Sequence, residues 1–213
     1  MRAFAAVALL VISTSACSQD YRLPFNGRWF VMQGGDTLNV NDHMAATAQW
    51  YGIDFAKVGG ASQRSLTKSS GTAVEDFYSW GEPVLSPVDG EVVAIRDAFA
   101  DNVLGAKDAQ NPTGNFVEIR AASDQYVFLA HMQRHSIVVH AGQRVARGDP
   151  LGKCGNSGNT DFPHVHMHVQ NVEAFGAGTG QRVEFSAIDV ELTSKHFIDV
   201  KWPLIRGLFV SNH

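Results

Sequence analysis

Residues 162–171 read FPHVHMHVQN, and three histidines fall at alternate positions: His164, His166 and His168. Successive side chains of a β-strand point to opposite faces, so residues i, i+2 and i+4 share one of them. Val165, Met167 and Val169 occupy the other. The segment therefore reads as a strand with an apolar face for the core and an imidazole face turned elsewhere. Imidazoles spaced in this way can meet at one metal ion, or one can bind it while a neighbour supports it. A lone strand histidine is more often solvated or hydrogen-bonded, so partners elsewhere in the chain must decide.

Outward from this segment the sequence is mostly strand and turn. KCGNSGNTDF is a Gly/Asn-rich loop feeding the histidine strand, and SIVVHAGQRVARGDPLG before it holds two Gly-marked turns. QYVFLAHM and NFVEIRA alternate as strands joined by a polar turn at Ser123-Asp124. EPVLSPV and EVVAIRD flank Asp89-Gly90, which predicts a tight hairpin. YRLPFNGRWFVMQGG begins as an aromatic strand and ends at Gly34-Gly35. DHMAATAQWYG suits a helical turn, and the tail from Phe175 adds β-like segments such as RVEFSAIDVEL and RGLFV. Short strands at this density predict an all-β domain.

Bulk properties narrow the function. A chain of 213 residues with 45% hydrophobic and 18% charged residues has room for one substantial globular domain. Its net charge of −4, without a Lys/Arg-dense run, argues against nucleic acid as a partner. MRAFAAVALLVISTSAC has the layout of a secretory leader: one Arg, a short apolar run, then small residues. That places residues 1–16 as a signal peptide, and TSAC approximates a lipoprotein-processing site at Cys17. Membrane attachment is expected only through a lipidated Cys17, in the periplasm or cell envelope. Cys17 and Cys154 are the two cysteines, so no disulfide framework is expected.

The nine histidines include no HExxH helix. A catalytic zinc commonly takes three protein ligands from His, Asp and Glu. WYGIDF offers an acid: on a strand, Tyr51, Ile53 and Phe55 share an apolar face while Asp54 points away. A carboxylate in so apolar a setting needs hydrogen bonds or a cation; an ordinary turn or edge aspartate is the competing reading.

His43 followed by Asp54, then PVLSPVDGEVVAI, GNFVEIR, YVFLAHM, GQRVARGDPLGKCGNSGN and PHVHMH, stand in an order that resembles the lysostaphin/LytM-type zinc metallopeptidases. These are cell-wall endopeptidases of the duplicated-hybrid-motif fold, and the similarity spans residues 39–170. The resemblance implies antiparallel β-sheets forming an open groove. A single metallopeptidase domain would cover 21–213, with its core at 39–170 and a C-terminal β extension at 171–213. It also implies one Zn2+ per chain held by His43, Asp54 and His166, with His131 and His164 as the catalytic pair and a peptidoglycan peptide as substrate. His131 enters through YVFLAHM, where alternation puts it on the face of Val127 and Leu129.

The chain departs from the family in two places. Many members hold the first His and the Asp much closer together than the eleven positions separating His43 and Asp54. Met167-His168 also stands where Phe-Glu is common, which leaves His168 beside the site or exposed. His135 and His140 read as solvated turn residues, and His196 and His213 belong to the tail. Cys154 reads as a small packed residue, and the loop at 155–160 as a groove wall offering backbone N–H groups. Two other functions suit this architecture. A non-catalytic module that activates amidases would have lost metal positions, yet candidates for all five are present. A phosphoryl carrier would need cytoplasmic donors, against the leader.

Overall fold

The computed structural model describes residues 19–122, 125–192 and 195–213. The leader at 1–16, Cys17 and the turn at Ser123-Asp124 lie outside the described residues.

Period-two alternation becomes strand wherever one face can be buried. NFVEIRAA and QYVFLAHM form β5 (Asn115–Ala122) and β6 (Gln125–Met132), paired antiparallel. The histidine segment forms β9 (Val165–Gln170), between β6 and β2 (Ile53–Lys57). The same sheet takes in β1 (Trp29–Gln33), β4 (Gly90–Arg96) and β7 (Arg144–Val145). It is completed by β10 (Phe185–Leu192), β11 (Lys195–Trp202) and β12 (Phe209–Asn212). These ten strands run β11-β10-β12-β1-β2-β9-β6-β5-β4-β7. A separate antiparallel pair joins β3 (Pro83–Leu85) to β8 (Pro150–Lys153). The expected helical stretch contains two 3-10 turns, Asp42–Ala45 and Thr47–Gln49. The described residues are thus nearly all-β and antiparallel, as the sequence implies.

The main core lies on one face of the sheet. Val165, Met167 and Val169 of β9 are buried there with Ile53, Phe55, Val127 and Leu129. Phe25 stacks on Trp29 at 4.2 Å between ring centroids and meets Phe55 edge-on, closing the core beneath β2. Burial of each such side chain contributes roughly 1.5–3 kcal/mol. This anchors β2, β6 and β9, and so aims their opposite faces at the groove.

Several expectations are corrected. Asp89-Gly90 does not make a hairpin: β3 pairs with β8, whereas β4 pairs with β5 and β7. A Cβ on Gly90 would lie 2.5 Å from Ile119 Cγ2 and 2.6 Å from the Arg120 carbonyl oxygen. The glycine therefore serves close strand approach. The strand expected from Tyr21 is confined to Trp29–Gln33, with Tyr21 making one isolated bridge to Phe185. Tyr51 lies outside β2 with φ of 64°, so it does not share a strand face with Ile53 and Phe55. KHFIDVKW is β11, a mostly exposed edge strand whose apolar and polar residues give no clean alternation.

Candidate metal centre

Strand pairing brings distant residues together. β2 lies against β9 with Asp54 opposite His166, although 112 positions separate them. His43 arrives from the first 3-10 turn, and its ring meets that of His166 edge-on at 4.6 Å. One ligand atom from each of His43, Asp54 and His166 can be chosen so that all lie within 4.8 Å of one another. Gly52 makes this approach sterically feasible. A Cβ there would stand 2.9 Å from the Gln49 carbonyl oxygen, 3.1 Å from His43 Cγ and 3.3 Å from His166 Cε1.

His131 reaches the same place by an unexpected route. Val127 and Leu129 face the core, and strict alternation would send His131 with them. Its φ of 62° breaks the alternation, so the ring stands 4.8 Å from that of His164 and 5.8 Å from that of His166. The left-handed backbone costs about 1–3 kcal/mol for a non-glycine residue. Cross-strand contacts and the His131 N–H bond to the Thr113 carbonyl hold it. All five residues singled out in the sequence therefore surround one point.

Hydrogen bonds fix which ring nitrogens face the centre. Asn41 Nδ2 donates to the carbonyls of Gly35 and Gly52, so its Oδ1 must accept from His43 Nδ1–H at 2.9 Å. This leaves a lone pair on His43 Nε2, 3.5 Å from Asp54 Oδ1. His131 Nδ1–H donates to the Ser157 carbonyl and His164 Nδ1–H to that of Phe162, both at 2.9 Å. Nothing in the spacing of the sequence singles out Asn41, because its role is set by carbonyls on two other segments.

The charges are correspondingly biased. Burial lowers the His43 pKa to about 4, against the opposing pull of Asp54. Burial, aided by the neighbouring imidazoles, also holds His131 well below the ordinary value. His168 is lowered in the same way, by burial and then His166. Burial opposes the His164 cation too, but the Asp54 charge and hydrogen bond outweigh it and raise that pKa. For Asp54 burial acts upward, yet His43 and His164 more than reverse it and hold the carboxyl well below its usual range.

These residues fit a divalent metal. Among the described residues the ion-pair partners of Asp54 are three histidines. A neutral His43 aims a lone pair at an ionised carboxylate, an arrangement that a cation between them makes favourable. Two imidazole nitrogens and one carboxylate oxygen also match the donors a catalytic zinc takes, with room for a further ligand. Cavities of about 370 Å³ and 120 Å³ flank the cluster and share His43, Gln49, His131 and Asn159 in their walls. Phe162 and Lys107 line the larger; Thr113 and Phe175 line the smaller.

The remaining candidates fall away from the centre. His135, His140, His196 and His213 are exposed, and Cys154 is buried. The loop at 155–160 is not a row of free N–H donors. The amides of Gly155, Asn156, Asn159 and Thr160 bond within the protein, and the loop instead presents the Ser157 carbonyl to His131.

A family model for peptidase family M23 matches residues 68–184. The chain belongs to peptidase family M23. The matched span contains His131, His164 and His166 but begins after His43 and Asp54, whose place in the cluster rests on geometry. Endolysin 2638A of Staphylococcus phage 2638A is 42% identical over 102 residues, covering 47% of this chain and 21% of the phage protein. The peptidoglycan DD-endopeptidase ShyA of Vibrio cholerae is 25% identical over 149 residues, covering 70% of this chain and 26% of the enzyme. The chain thus spans about a quarter or less of the length of these relatives. A mutant catalytic domain of the prophage-encoded M23 protein EnpA from Enterococcus faecalis is similar with a TM-score of 0.48 at 17% identity, over 76% of this chain and 93% of that one.

Proposed function

We propose that this M23 peptidase is an exported, zinc-dependent endopeptidase that hydrolyses peptide bonds in peptidoglycan cross-links or stem peptides. The observation carrying the reading is the convergence of His43, Asp54 and His166 beside His131 and His164 in an open groove. The name of the Vibrio peptidoglycan endopeptidase supports the substrate class, and the apolar leader at 1–16 supports export.

His43 through Nε2, Asp54 through a carboxylate oxygen and His166 would hold the metal. When bound, zinc supplies Lewis acidity towards the scissile carbonyl and acidifies a water molecule. His131 and His164 then handle protons. Each Nδ1–H is tied to a backbone carbonyl, so proton exchange takes place at Nε2. His131 is biased toward the neutral ring and His164 toward the cation, so the pair offers a proton acceptor beside a proton donor. The two cavities give an extended peptide room on either side of the reacting bond.

The test digests defined peptidoglycan peptides with and without a chelator, identifies the new amine by mass spectrometry, and measures zinc content. About one zinc per chain and chelator-sensitive cleavage are expected. His166→Ala should lose metal and activity together. His131→Ala should keep about one equivalent of zinc while turnover falls about 10²–10⁴-fold, the usual contribution of a general acid or base. Equal zinc loss in both variants would contradict this division of roles. Absence of both zinc and new amines would leave only a binding module.

A further inference from the structure

His168 does not touch the space where the metal would sit, yet it is 2% exposed and its position is tightly prescribed. It lies opposite Phe128 across β6 and β9 and stacks on that ring at 4.8 Å with an interplanar angle of 1°. Phe175 meets it edge-on at 5.8 Å. Its Nδ1 lies 2.9 Å from His166 Nε2, and its Nε2 lies 3.3 Å from Gln170 Oε1. Gln170 is itself buried, and its Nε2 donates to the carbonyls of Val172 at 2.6 Å and Ala174 at 2.7 Å.

Proton positions follow in order from those two carbonyls. A carbonyl only accepts, so the Gln170 nitrogen must face them and its oxygen must face His168. That oxygen accepts a proton from His168 Nε2, leaving the lone pair of a neutral His168 on Nδ1. The lone pair in turn accepts from His166 Nε2–H. His166 Nδ1 is then bare, 2.9 Å from Asp54 Oδ1 on the side facing His43. The opposite order would set a bare His168 Nε2 against the Gln170 oxygen. Flipping the amide to relieve that contact would forfeit both carbonyl bonds and leave two acceptors unpaired.

We infer that His168 and Gln170 are positioning residues: a relay from the Val172 and Ala174 carbonyls fixes the His166 tautomer and turns its Nδ1 lone pair toward Asp54 and His43, as a metal ligand. The proposal rests on the function proposed above, because a bare His166 Nδ1 only 2.9 Å from the ionised Asp54 carboxylate needs a cation between them. Partners of this kind on a ligating histidine are commonly worth 10–100-fold in metal affinity.

Two measurements on the full chain test this. The first is the side-chain ¹⁵N spectrum of zinc-loaded protein at neutral pH. It should show His166 protonated on Nε2 and bound through Nδ1, with His43 protonated on Nδ1. A spectrum with His166 protonated on Nδ1 overturns the relay. The second is Zn2+ binding by competition with a chromophoric chelator. His168→Leu should weaken binding about 10–100-fold, and His168→Asn, which restores an acceptor near Nδ1, should recover most of it. Gln170→Leu should weaken binding less and add nothing in the His168→Leu background. Wild-type affinity in folded His168→Leu also overturns the proposal; should that variant not fold, His168→Asn and the spectrum decide. Absence of zinc binding by the wild type defeats the proposed function, whereas zinc held with wild-type affinity by folded His168→Leu defeats only the relay.

Discussion

At the scale of single residues, the site is governed by groups whose hydrogen bonds admit one direction. Asn41 shows this most simply. Its amide nitrogen bridges the carbonyls of Gly35 and Gly52, and its oxygen takes both the His43 amide and the His43 Nδ1–H. Asn41→Ala should therefore do two things at once. It leaves the buried Gly52 carbonyl and the partly buried Gly35 carbonyl without this donor, which should lower unfolding free energy by about 1–3 kcal/mol in urea titrations of metal-free protein. It also frees the His43 ring, and zinc affinity measured against a chelator should fall about tenfold or more. Unchanged affinity would show that His43 is held by packing alone. The sequence displays the histidines and the acid because their chemistry is unusual for a strand. It cannot display Asn41 or Gln170, whose value depends on carbonyls that folding brings near.

At the scale of elements, alternation was a sound guide where a strand buries one face. It gave β5, β6 and β9 and the histidine face of β9 correctly. It misled where the backbone leaves the extended region. His131 changes face through a φ of 62°, and Tyr51 sits outside its strand at 64°; neither residue type announces such a conformation. Glycine misled differently, because one residue type serves two physical needs. Gly142 has φ of 85° and nothing near an added Cβ, whereas Gly90 needs no left-handed φ but has no space. Gly90→Ala should thus cost about 1–3 kcal/mol through strain between β4 and β5. Gly142→Ala should cost about 1 kcal/mol from backbone conformation alone. Urea unfolding of the two variants separates the causes, and a larger loss at Gly142 would refute the close-approach account of Gly90.

At the scale of the whole molecule, one sheet buries the main core on one face, and the opposite face carries the metal centre and beside it a smaller apolar cluster of Phe116, Phe128 and Ala130. Glu118 lies on this second face, opposite Phe128 and 3% exposed, with Oε1 buried and unpaired. Burial, reinforced by the Glu173 charge, raises its pKa from 4.5 to about 8. Between those values the folded protein binds more protons at this position than the unfolded chain, so stability falls as pH rises. The penalty is absent below about pH 4.5, grows through neutrality and levels off above about pH 8. Glu118→Gln removes the titration while keeping the shape. The variant should gain stability over wild type as pH rises from 6 to 9, by about 1–3 kcal/mol at the alkaline end, the scale of an unsatisfied buried group. Its zinc content should not change, because Glu118 is outside the ligand cluster. Thermal or urea unfolding across that range supplies the check. Parallel stability profiles for wild type and variant would mean that Glu118 ionises freely in the fold, and that its surroundings are better hydrated than its burial implies.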